Sequence, residues 1–544
     1  MKKIISLLLA LVMVLGMVAC GNNAPVETNP TENQGPVSGG ENTPPAVGTP
    51  EEIDNTLHLA HLVEGNGDKI KYVWNNPEFI GGLLYRTLFT AETDLVTLKD
   101  NLASADYTVS EDGLVYTINF LGGKWSDGTD LTLDDVVFSI GANLKVATSN
   151  GIYTGAFNKI EGAEAWKSGE ADSLTGLAVD GNTLTITLTA PHSTLPQVLA
   201  QFAILPAHCF EGADLLELHN NAYWSQPVTS GMFTVGEMNP GNYYTLVRNE
   251  YYEGTAPKIE KVVVNLVADM ITAAQAGLVD VTNTNSVDMI NELNKLDYMT
   301  MYPVDILFFR YFICNMEGVD GNQNPPMQDV RVRQAILHAI DRETLAESLF
   351  PGLAHVSNMG REYEYNPELA KQLLEEAGYD FNHTFRILYY YSDQGSIDFM
   401  QAIAYYLGEV GMKVEVIQSS NGTQDLFQTR DYDVGYKGLS AFDISEWYGE
   451  YSSTNANFQN IFGGDTAFDD LIAQYAAATT DADKQAILDA LGAKEAELSY
   501  KLPLFTLGNN MFINTGRIAL PEGTVFGNPW YITDIGFENW EIVG

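Results

Sequence analysis

Between Asn366 and Gln418 the hydrophobic period of the chain changes in a way that few folds accommodate. Asn366-Pro367 reads as a helix N-cap followed by a first-turn proline, Leu369, Leu373, Leu374 and Ala377 form an apolar stripe, and Gly378 stands where a helix stops. Phe385 to Tyr391 then reads as a strand. Met400, Ile403, Ala404 and Leu407 mark a helix that ends at Gly411, and Lys413 to Ile417 is a second strand. Strand, helix and strand in about 35 residues is a crossover unit, whose two strands must run parallel. The C-terminal half therefore contains an α/β domain.

Upstream, Asp329 caps a helix carrying Val332, Ala335, Ile336, Ala339 and Ile340 on one face. The N-terminal half is richer in strands. Leu114, Tyr116, Ile118 and Phe120 alternate with smaller or polar residues, as do Leu184, Ile186 and Leu188 with threonines. Trp125 to Thr129 reads as a turn in which Asp127-Gly128 supplies the left-handed position. A chain of 544 residues is too long for one core, so two or three domains are expected.

With 28 Lys+Arg against 71 Asp+Glu, the net charge of −43 repels phosphate backbones and anionic lipid, which argues against a nucleic-acid partner or electrostatic membrane docking. Three cysteines make no disulfide scaffold; Cys209 and Cys314 are either a pair or two separate thiols. No HExxH, G-x-S-x-G, P-loop or CxxC is present, no cofactor is called for, and the chain reads as a non-enzyme. A secreted hydrolase with two convergent acids is the alternative from a different class. His58 and His61 lie near Glu64 and Asp68, but on an alternating stretch they face opposite sides, and no metal site is assigned.

The N-terminus is an address. Lys2 and Lys3 precede an apolar run from Ile4 to Val18, followed by Ala19-Cys20-Gly21. Small Ala19 before Cys20 resembles a bacterial lipobox, which implies that Cys20 carries lipid; the alternative is an ordinary secretory signal. Gly21 to Asp54 is rich in Pro, Gly and acid without Lys or Arg, and reads as a flexible tether.

Several segments in order resemble the extracellular solute-binding protein family 5, the dipeptide-, oligopeptide- and nickel-binding receptors of ABC importers. The most specific is Trp125-Ser126-Asp127-Gly128-Thr129 with Leu131 to Ser139; others are Leu84 to Leu88, Leu102 to Gly113, Pro227 to Phe233, Arg248 to Tyr252, Gln275 to Asp280, Asp329 to Arg342 and Tyr365 to Gly378. The resemblance implies an α/β, two-lobed periplasmic-binding-protein-like fold (type II, cluster C), with mixed sheets and a ligand cleft between hinged lobes. The implied organisation is a lipoprotein signal at 1–20 and a tether at 21–55. The first part of domain I follows at 56–90, domain II at 91–220, the second part of domain I at 221–305, domain III as lobe 2 at 306–507, and a return to domain I at 508–544. The segment from Leu353 to Glu364 is shorter than the family's. Dipeptide receptors carry an arginine after the strand matching Phe385–Tyr391, where this chain has Ser392-Asp393-Gln394-Gly395-Ser396.

The implied function is a substrate-binding lipoprotein of an ABC importer, outside the cell membrane, monomeric, and delivering peptides to permease subunits. An oligopeptide is favoured over a dipeptide. An oligosaccharide is the alternative ligand, and a nickel chelate is less favoured. Asp443 is the expected partner of the ligand ammonium, with Asp431, Asp433 and Glu446 as rivals. Tyr153, Tyr389, Tyr391 and Asp393 are the further ligand candidates, Trp447 stands beside Asp443, and Tyr390 and Tyr448 are alternatives on the same walls.

Overall fold

A computed structural model describes residues 54–63, 69–356 and 363–544. The expected export signal, Cys20 and the expected tether as far as residue 53 lie outside the described residues. Among the described residues no helix is long and apolar enough to cross a membrane.

The chain builds two lobes. In the first, Thr56–Leu62 pairs in parallel with Lys261–Val267, which continues antiparallel to Tyr243–Arg248 and then Phe233–Asn239. A second four-stranded sheet has the order Thr108–Val109, Val115–Asn119, Thr183–Thr187, Leu177–Asp180. The alternation read from the sequence sets its register: Tyr116 opposes Ile186 and Ile118 opposes Leu184, all four buried. At the turn, Gly128 has φ +86°, and the Trp125 indole N–H donates to the Asp135 carboxylate at 3.2 Å. Asp135 also closes a capping box with Thr132 on the helix Leu133–Lys145.

The second lobe is a six-stranded mixed sheet. Its order is Ala354–Val356, Lys501–Leu507, Phe308–Cys314, Val434–Ser440, Thr384–Tyr389, Lys413–Gln418. The expected parallel pair is Thr384–Tyr389 with Lys413–Gln418, crossed by the helix Gln394–Glu409. Asp329 and Asn366 cap their helices, and Gly378 ends the second at φ +68°. Strand alternation covers both faces of the sheet. Phe312, Tyr436 and Ile387 belong to one apolar cluster, and Phe309, Tyr311 and Ile313 to another with Trp447.

The lobes are joined by two crossings that lie side by side. The strand Asn509–Asn514 pairs with both Val281–Thr284 and Met299–Val304. The outgoing chain leaves Met299–Val304 for Phe308–Cys314, and the returning chain comes from Lys501–Leu507. The last residues rejoin the first core through Phe526, Phe537 and Trp540. Cys209 and Cys314 are both free, and burial pushes their thiols up to about 11 and about 12.

One half-buried histidine gives the fold an acid sensitivity. The Nδ1 of His192 lies 3.1 Å from the Lys159 ammonium, which also donates to the Pro191 carbonyl. Burial first, and the Lys159 charge second, lower the imidazole to about 3 from 6.5. Above the unfolded value both states are neutral. As pH falls through 6.5 the unfolded chain takes up a proton that the folded chain refuses. By about pH 5 this one group is expected to cost about 2 kcal/mol, with the full cost reached only near the folded value. Thermal melts at neutral pH and at about pH 5 check it: His192→Gln should shrink the acid-induced fall in Tm, and an unchanged fall would refute the assignment.

Candidate ligand-binding cleft

Two adjoining cavities share Asn150, Trp530 and Tyr531. The larger encloses about 730 Å³ within the first lobe, against the strand Thr56–Leu62 and the return segment, with His61, Glu78, Arg86 and Tyr252 on its walls. The smaller, about 300 Å³, is bounded by both lobes: Asn150, Gly151, Ile152, Trp530 and Tyr531 on one side, Ser440 and Glu446 on the other. Two aromatic pairs bridge the lobes beside it. Phe308 meets Trp530 edge-on at 5.4 Å between ring centres, and Phe442 meets Tyr531 at 4.9 Å. A ligand entering here is held between groups from both lobes, as capture by hinge closure requires.

The acidic group on this wall is Glu446, one of the rivals named from the sequence. It is the third residue of the short helix Ile444–Gly449 and completes the capping box with Asp443. Its Oε1 accepts the Phe442 N–H at 2.6 Å and the Asp443 N–H at 3.3 Å. The side chain reaches solvent in the concavity, yet protein surrounds it closely enough that desolvation raises its carboxyl above the ordinary value despite those two donors.

The sequence candidates are placed elsewhere. Asp443 is the helix cap: its Oδ1 accepts the Ser445 N–H at 2.8 Å, and its carboxylate also meets the Tyr475 hydroxyl. Asp433 is buried and holds Asn324, His383 and the Arg386 N–H, while Asp431 pairs with Arg386 on the surface. Trp447 follows Glu446 by about 100° of helical rotation, which turns it into the lobe. It is fully buried and donates to Glu495 at 2.8 Å. Tyr153 is also fully buried; its hydroxyl donates to the Gln201 carbonyl at 2.7 Å and its ring packs on Phe202. In the helix Gly151–Phe157 the inward face is Tyr153, Ala156 and Phe157, so Ile152 is the residue that reaches the cleft.

The strand Thr384–Tyr389 ends two residues earlier than expected. Tyr389 points the same way as Phe385 and Ile387, into the core of the lobe. Asp393 is exposed and caps the helix Gln394–Glu409 through the Ser396 N–H at 2.8 Å. Tyr391 is half-buried at the carboxyl end of the strand, its hydroxyl 3.1 Å from that of Tyr390. Sequence reasoning did not single out Asn150, Trp530 or Tyr531. Trp530 and Tyr531 lie in an irregular segment whose only signal was two adjacent large aromatics after Asn528-Pro529.

Among the described residues no group of His, Cys, Asp and Glu is placed to hold a metal. His61 faces the larger cavity, 3.8 Å from Glu78 and 3.5 Å from the Tyr244 hydroxyl. His58 is held through its backbone N–H by Asp280 at 2.8 Å, and burial lowers its imidazole.

The sequence profile described as bacterial extracellular solute-binding proteins, family 5 middle, matches residues 97–469. The chain belongs to this family. A Brucella ovis protein named as an ABC transporter peptide-binding protein is 26% identical to the family 5 chain over 373 residues, 63% of this chain and 66% of that one. The match therefore spans just under two thirds of that relative's length. The oligopeptide-binding protein AppA of Bacillus subtilis is 25% identical over 404 residues, 70% of this chain and 67% of AppA. The crystal structure of the ABC transporter substrate-binding protein CtaP of Listeria monocytogenes aligns with a TM-score of 0.72 at 19% identity, covering 91% of this chain and 100% of that one. That likeness concerns the fold.

Proposed function

We propose that this family 5 protein is the extracytoplasmic receptor of an ABC importer and captures peptides by hinge closure. Cys20 carries its lipid anchor, and the receptor hands its ligand to membrane permease subunits as a monomer. The observation that carries this reading is the pairing across the cleft: a carboxylate, Glu446, on one lobe faces Trp530, Tyr531 and Asn150 on the other. A carboxylate suits a peptide ammonium, and a polar, partly aromatic wall suits a backbone whose side chains vary. The names of the Brucella and Bacillus relatives point the same way. No reaction is assigned to the cleft; binding and release are reversible.

The oligosaccharide reading is second, favoured by the aromatic surfaces of Trp530 and Tyr531, although Phe308 and Phe442 already pack against them. A thermal-shift screen separates the two. Randomised pentapeptides should stabilise the protein by about 2.7 kcal/mol at a hundred times the dissociation constant. A shift with maltooligosaccharides and none with peptides would overturn the reading.

A further inference from the structure

The sheet of the second lobe holds one cation that the fold leaves without a partner. Arg310 lies in the strand Phe308–Cys314 and is 8% exposed. Among the described residues its buried Nε and Nη1 have no hydrogen-bond partner, and no carboxylate pairs with it. Its company is aromatic: the guanidinium carbon is 4.0 Å from the centre of the Tyr391 ring, 4.5 Å from Phe308 and 5.8 Å from Tyr436. The wholly buried Tyr436 hydroxyl likewise has no partner among the described residues. Ring faces offset part of the cost of burying a charge, but they leave N–H donors and hydroxyls unsatisfied.

The surroundings are shaped around this group. Arg310 opposes Gly438 across the strand pair. A Cβ on Gly438 would stand 2.7 Å from Arg310 Nη1 and 2.6 Å from the Tyr391 hydroxyl, so any larger residue there would push both side chains from where they lie. One pleat away on the same face, Phe308 opposes Ser440. Ser440 lines the cavity between the lobes, and Phe308 touches Trp530 there. The unsatisfied donors therefore sit directly behind the cleft wall, at the carboxyl ends of Thr384–Tyr389 and Val434–Ser440, where open α/β sheets receive ligands.

We infer that Arg310, with Tyr436 and Tyr391 beside it, is a carboxylate-recognition subsite of the cleft, and that the ligand presents its carboxylate to the guanidinium fork when it displaces the Phe308 ring. A guanidinium binds a carboxylate through two parallel N–H donors; Nε and Nη1 of Arg310 lie on its two different edges, and each forms such a fork together with Nη2. The carboxylate comes from a peptide C-terminus or from an acidic side chain. This inference rests on the peptide-receptor reading above.

The test captures three randomised pentapeptide pools on the purified full-length protein and quantifies what binds by mass spectrometry. The pools are free acids, C-terminal amides, and C-terminal amides lacking Asp and Glu. The wild type should hold the acid-free amides on the order of a hundredfold more weakly than the free acids, and Arg310→Met should erase that difference. Retention of the Asp/Glu-containing amides that depends on Arg310 assigns the carboxylate to a side chain; retention of the free acids alone assigns it to the C-terminus. Equal capture of all three pools by wild type and Arg310→Met overturns the inference while the peptide reading stands. Capture of no pool by the wild type overturns both. Arg310→Met is expected to melt no lower than the wild type, because it removes a charge that has no partner. Should it fail to fold, Gly438→Ala is measured instead. Its methyl intrudes on the fork, and selective loss of carboxylate binding is expected; unchanged binding overturns the inference.

Discussion

Replacing Glu450 by leucine should cost the protein about 3–5 kcal/mol, because the substitution strands two cations inside the second lobe. Glu450 is buried and is the C-cap of the helix Ile444–Gly449. Its Oε1 meets the Lys437 ammonium at 2.8 Å, and its Oε2 meets Lys501 at 3.1 Å and accepts the Tyr311 hydroxyl at 2.6 Å. Burial alone would raise this carboxyl, but the Lys501 and Lys437 charges outweigh it and hold it below its usual range. Lys501 is fully buried, 3.5 Å from the centre of the Trp447 ring, and burial lowers its ammonium to about 8 despite Glu450. Without Glu450, Lys437 loses the carboxylate it pairs with and Lys501 keeps only the more distant charge of Glu495, in a medium that cannot replace the lost partner with water. Urea unfolding checks the prediction through the midpoint at constant m. A loss under about 1 kcal/mol would show that the cluster is solvated and the interior of this lobe is not as described.

The second large effect falls on binding. Glu446→Gln should weaken peptide affinity on the order of a hundredfold while leaving the fold intact. The amide oxygen of glutamine can still accept the Phe442 N–H, so the helix start is preserved, and only the charge offered to an ammonium is lost. Asp443→Asn is the matched control. It should leave affinity within about threefold, since Asp443 spends its carboxylate on the helix N-terminus and on Tyr475. Calorimetric titration of both variants decides between the two acids, and the opposite result would move the ammonium site back to Asp443. The desolvation that raises Glu446 also sets a sign: its ionised form is lost at a higher pH than an ordinary carboxylate as the solution is acidified. Peptide affinity should therefore decline on acidification before other carboxylates titrate, and Glu446→Gln should flatten that decline.

The fold was legible where period and capping acted locally. The crossover unit at 384–418, the caps at Asp329 and Asn366, and the paired strands around Tyr116 and Ile186 follow from patterns that one or two turns of chain enforce. The wall of the candidate cleft was less legible because its residues are set by which side of an element meets the other lobe. Glu446 and Trp447 are neighbours in sequence, yet one helical step sends the first to the cavity and the second to the core. The same step separates Ile152 from Tyr153. Asp443 and Asp393 read as ligand groups in a loop, and the structure places both as helix caps, a use visible only once the helix starts are placed. Arg310 did leave a trace: it is the only charged residue in the run from Leu307 to Cys314, where a strand buried on both faces admits no charge without a reason.

Native mass spectrometry of the gently purified full-length protein tests the central claim most directly. A receptor that encloses its ligand between two lobes releases it slowly, so part of the population should carry host material. The predicted result is a ladder of added masses that separate on denaturation into short peptides. Adducts spaced by hexose units, with no amino-acid content, would contradict the account and reassign the cleft to sugars.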